Sequence, residues 1–75
     1  MTPELYDMLI KSAEADKSKS ILSLDLLGNK AVGIGDHSTE DFYKDAEEAL
    51  TMLVDADDRI NTLKLYFGKN KKLIK

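Results

Sequence analysis

The chain has no cysteine and no tryptophan, and among its 75 residues it has one proline, one histidine and a single arginine, Arg59. Without cysteine, neither a disulfide nor a thiolate metal site can hold it together, and one histidine leaves no structural zinc set. No apolar run reaches the roughly 18 residues that a bilayer span needs. Glu4 and Asp7 stand where a secretory leader carries basic residues, so a soluble, cytoplasmic chain is expected. A domain this short buries only about 60% of its unfolded surface and is marginal without staples. With disulfides and metals excluded, self-association is the remaining staple, and a homo-oligomer is expected.

What is abundant is helical periodicity. Phe42, Ala46, Ala49, Leu53, Ala56, Ile60, Leu63 and Phe67 recur alternately four and three residues apart. That spacing predicts one long helix over about 39–67 with a single adhesive seam, a core or oligomer stripe that cannot bury itself. Leu50, Met52 and Val54 lie off this seam and widen the apolar surface beyond what a two-helix pair needs.

A first helix is predicted over about 3–28. Thr2 is placed to cap it, Pro3 suits its first turn, and Leu5, Leu9, Ala13, Leu24 and Leu27 are expected to face the seam. Its apolar spacing lapses at Asp16-Lys17-Ser18-Lys19-Ser20, either a turn between short helices or an exposed stretch of one helix. None of the five is Gly or Pro, which favours one helix. Gly28-Asn29 is the expected stop. Residues 29–37 then form a connector anchored by Val32 and Ile34, and Ser38 or Thr39 caps the second helix. Gly68 ends that helix, and residues 68–75 form a basic tail. The expected fold is all-α: one domain over 1–75, an antiparallel helical hairpin assembling into a homo-oligomeric bundle.

Charge is uneven along the chain. Residues 36–67 carry nine acids against three bases, while 68–75 carry four lysines and no acid. A net charge of −3 argues against a broad nucleic-acid-binding surface. Lysines after a helix also complement its dipole.

Little here suits catalysis. Asp36-His37 is the only acid–histidine neighbour pair, and Ser38 or Thr39 beside it lacks triad geometry. Asp55, Asp57 and Asp58 fan out around a helix instead of converging on a metal. Gly33-Ile34-Gly35 has no following lysine of the nucleotide-loop kind. No enzyme activity, metal or cofactor is expected. Lys17, Ser18, Lys19 and Ser20 are the better candidates, because two ammonium groups and two hydroxyls within one turn suit phosphate oxygens. Tyr6 and Lys11 add an aromatic face near a lysine, which can stack a base. Tyr6 and Lys19 are about 20 Å apart along a straight helix, so they meet on one ligand only across chains. The same stretch is also compatible with a solvated, lysine-rich turn.

The stretch Leu26-Leu27-Gly28-Asn29-Lys30-Ala31-Val32-Gly33-Ile34-Gly35-Asp36-His37-Ser38, followed by the acidic heptad helix ending Leu63-Lys64-Leu65-Tyr66-Phe67, resembles a group of small tailed-phage proteins. In size and helical design the chain is similar to the phage anti-CBASS sponges, which bind cyclic oligonucleotide signals. That resemblance implies an anti-defence oligomer in the host cytoplasm with ligand pockets between protomers. Tyr6 would stack a base there, and Lys11, Lys17 or Lys19 would meet phosphate, with Ser20 among the donors. Ligand sequestration is therefore the first functional expectation. The alternatives are an acidic interaction module docking on a basic host protein, and a structural oligomer.

Overall fold

In the computed structural model, which describes residues 1–30 and 39–68, two long helices pack against each other as an antiparallel hairpin. Helix α1 spans Pro3–Lys30 and α2 spans Thr39–Phe67, 28 and 29 residues. Each is about 43 Å long at 1.5 Å per residue. The expected anchors Val32 and Ile34, the Asp36-His37 pair, the cap Ser38 and the basic tail beyond Gly68 lie outside the described residues.

Local chemistry explains the helix ends. The Leu5 amide donates to the Thr2 hydroxyl at 3.1 Å, and the Tyr6 amide to the Thr2 carbonyl at 2.9 Å, which satisfies two donors of the first turn. Glu40 and Asp41 complement the N-terminal dipole of α2, and Lys64 the C-terminal one. Gly68 closes α2 by donating its amide to the Lys64 carbonyl at 3.1 Å. A Cβ at Gly68 would sit 2.5 Å from that carbonyl oxygen, so only glycine fits without a shift. Gly28, by contrast, does not stop α1. The helix continues to Lys30, no described glycine has a positive φ, and a Cβ there would meet nothing within 4 Å.

The residues at 16–20 are helix without interruption. The buried face of α1 runs Tyr6, Ile10, Ala13, Lys17, Ser20, Leu24 and Leu27, the same alternation of four and three as on α2. Leu5, expected on this face, is instead 43% exposed, because at about 100° per residue it lies nearly a quarter turn from Ala13. Tyr6 and Ile10 take the place assigned to it. Leu9, Leu24 and Leu27 are half-buried.

Among the described residues the core is thin. Its buried apolar side chains there are Ile10, Ala13, Ala49, Ala56 and Ile60, with Tyr6 and Leu63 packed against the Ile10–Ala13–Ile60 cluster. Three of those five are alanines. They allow close approach of the two backbones but bring little apolar area, each burying far less than the ~1.5–3 kcal/mol worth of a Leu or Ile. Thirteen large apolar side chains of the described residues remain exposed, among them Leu50, Met52 and Val54.

Candidate functional site

The polar stretch of α1 lies where the two helices meet, and two ion pairs between the helices straddle the seam. On one side, Arg59 Nη2 donates to Asp16 Oδ2 at 2.8 Å while Arg59 Nε donates to Asp55 Oδ2 at 3.0 Å. On the other, Lys17 Nζ meets Asp57 Oδ1 at 2.9 Å. Lys17 can occupy a seam position because its stem packs while its ammonium reaches outward. The hydrogen bond from Arg59 holds the Asp16 carboxyl below its ordinary range. Partial desolvation opposes this, and the charges of Arg59 and Lys19 add to it. Arg59 is raised in turn, chiefly by its hydrogen bond to Asp16.

This arrangement occupies the groups expected to meet phosphate. Lys17 is paired with Asp57, Lys19 with Asp16 at 3.6 Å, and Lys11 with Asp7 at 3.1 Å. Ser20 is 1% exposed, and its hydroxyl donates to the Asp16 carbonyl one turn back at 2.8 Å. Its Oγ is part of the hairpin's packing and offers no donor to solvent. Tyr6 packs on the core and borders a groove of about 590 Å³ shared with Glu4 and Asp7, with no lysine lining it among the described residues. Lys17 and Lys19 are brought close to the carboxylates of the seam, and Tyr6 is not brought to either of them. Of the three aspartates weighed for metal, Asp55 and Asp57 face cations on opposite sides of the seam.

Two further features carry the exposed apolar surface. On α2, Tyr43, Leu50, Val54 and Leu65 are 59%, 53%, 54% and 54% exposed, and follow one another seven, four and eleven residues apart. They form a second stripe about a third of a turn from the seam. Asp57 borders it, so it lies on the Lys17–Asp57 side. Glu40, Glu47 and Asp58 are exposed along the same flank. On α1, Leu5, Met8, Leu22 and Leu26 form another stripe, 43–59% exposed. Lys19 belongs to this stripe and reaches Asp16, so it lies on the Asp16–Arg59 side.

Sequence reasoning singled out Leu50 and Val54 but missed the stripes as wholes. The signal was present as a second alternation of fours and threes, offset by one or two positions from each seam. A groove of about 390 Å³ between the helices is lined by Ser23, Leu26, Asp45, Glu48 and Met52 among others. Among the described residues its charged groups are carboxylates, which repel phosphate. Among the described residues no helix is long and apolar enough to cross a membrane. No family model matches this chain, and no curated protein or solved structure matches it either, so its function has to be argued from its own residues.

Proposed function

We propose that the chain is a non-catalytic interaction module that presents the outer flank of α2 to a protein partner with a basic surface. The observation that carries this is the stripe of Tyr43, Leu50, Val54 and Leu65, each more than half exposed and bordered by carboxylates. Over its whole length α2 holds eight acids against three bases. Apolar anchors within a ring of like charge suit a helix-in-groove mode, the anchors giving affinity and the acids steering a positive partner.

Sequestration of a cyclic nucleotide has less support. Phosphate would have to displace Asp57, Asp16 and Asp7 from the lysines expected to bind it, against the field of an acidic chain. Native mass spectrometry with cyclic di- and oligonucleotides tests it directly. No added ligand mass is expected, and a discrete adduct would restore that function.

The docking reading is tested by capture from an extract of cells that make the protein. Wild type is compared with Leu50→Ser/Val54→Ser and with Glu47→Lys/Asp58→Lys. A basic protein held by wild type should be lost with the first variant, and with the second should be recovered at least tenfold less. Equal recovery by all three would overturn the assignment.

A further inference from the structure

We propose that the other flank, on α1, is the contact between two copies of this chain, packed antiparallel about a two-fold axis at Ala15. This goes beyond the α2 assignment and uses a different face.

The first support is the pattern. Leu5, Met8, Leu22 and Leu26 form the ends of the stripe, with Ser12, Ala15 and Lys19 at its middle, three and four residues apart throughout. Reversed end for end, it superimposes on itself to within one residue. Leu5 faces the partner's Leu26, Met8 faces the partner's Leu22, and Ala15 faces its own copy. An isologous interface needs this self-complementarity. The small side chains at Ser12 and Ala15 let two helix axes approach closely at the centre.

The second is area. The four large side chains, each about half exposed, leave on the order of 400 Å² of apolar surface. One side of a standard interface holds roughly 450 Å², taking the apolar half of its ~800 Å². The amount matches a stable dimer, and the thin core leaves the hairpin in need of one.

The third is charge, which decides between the two flanks. The α1 stripe carries one charge, Lys19, already paired with Asp16. Antiparallel packing sets Lys19 across from the partner's Lys11 and Ser12, the former already paired with Asp7, whereas parallel packing would set two Lys19 side by side. Antiparallel self-pairing of the α2 stripe about Val54 would set Asp58 against the partner's Leu50 and Glu47 against the partner's Asn61. Carboxylates would then enter an apolar contact with no cation across it to receive them, which opposes association.

The absence of cysteine makes the test direct. Sedimentation of the full chain should show a dimer. Met8→Glu/Leu22→Glu should weaken it at least tenfold, and Leu50→Glu should leave it intact. Ala15→Cys, which leaves the apolar stripe in place, should form an intermolecular disulfide under mild oxidation, and Val54→Cys should not. A monomeric wild type, a dimer broken by Leu50→Glu and not by Met8→Glu/Leu22→Glu, or cross-linking at Val54 in preference to Ala15 would overturn the proposal. Because Leu50 and Val54 report on the α2 flank, failure here and failure of partner docking are read separately.

Discussion

The two flanks of this hairpin share a design and differ in one property. Each is an apolar stripe at heptad spacing, about a third of a turn from a buried seam, with its large side chains about half exposed. On α1 the stripe itself carries one charge, Lys19, and only its Leu26 end shares a groove with carboxylates, Asp45 and Glu48. On α2 it runs among Glu40, Glu47, Asp57 and Asp58. Identical spacing therefore does not imply identical partners. Apolar area makes both faces adhesive, and the charge around each determines whether a second copy or a basic surface suits it better.

The largest effect should come from breaking the seam that holds the two flanks together. Ile60→Ala opens a cavity beside Ile10 and Ala13 and should cost about 2–5 kcal/mol in urea unfolding. Val54→Ala, on the exposed stripe, should stay within about 0.5 kcal/mol. Similar costs for the two would mean that seam and stripe are assigned the wrong way round.

A smaller and opposite effect is expected at Gly28. Its φ is not positive and a Cβ there has open space, so Gly28→Ala should stabilise α1 by about 0.5–1 kcal/mol, read from the thermal midpoint. Destabilisation would mean that α1 does end at Gly28.

The least effect concerns pH. Asp16 is held below its ordinary value in the folded state by Arg59, so its contribution is present above the unfolded pKa of about 3.9 and is lost as pH falls through the folded value. Asp16→Asn should flatten that part of the acid limb while leaving neutral-pH helicity unchanged. An unaltered acid limb would show that the bridge does not form in solution.

The α2 seam could be read from sequence because all eight positions are apolar, and seven of them are buried or half-buried. Phe67, at the C-terminal end, is instead 45% exposed, because the helix ends there and little of α1 is left to cover it. The seam of α1 was half legible. Lys17 and Ser20 occupy it, and a search for apolar spacing stops at Asp16 for that reason. Lys17 is tolerated there because Asp57 receives its ammonium, and Ser20 because Asp16 accepts its hydroxyl. Both conditions depend on the backbone, and the first on the register between helices, which no single helix encodes. The Asp16–Arg59 pair spans 43 residues and could not be anticipated for the same reason. Tyr6, Lys11, Lys17, Lys19 and Ser20 were singled out by residue type, and type alone did not show that carboxylates and the core already engage them. The α1 stripe was hidden by assigning Leu5 to the wrong face, an error of one helical position.

The most direct test of this division is sedimentation equilibrium of the full chain at about 0.1 M and about 1 M salt, where screening shortens from about 10 to about 3 Å. A dimer whose dissociation constant changes by less than about threefold is predicted, because the α1 contact is apolar and its one charge is internally paired. A monomer at both salts, or a dimer that salt dissolves, would contradict the assignment of the uncharged flank to self-association.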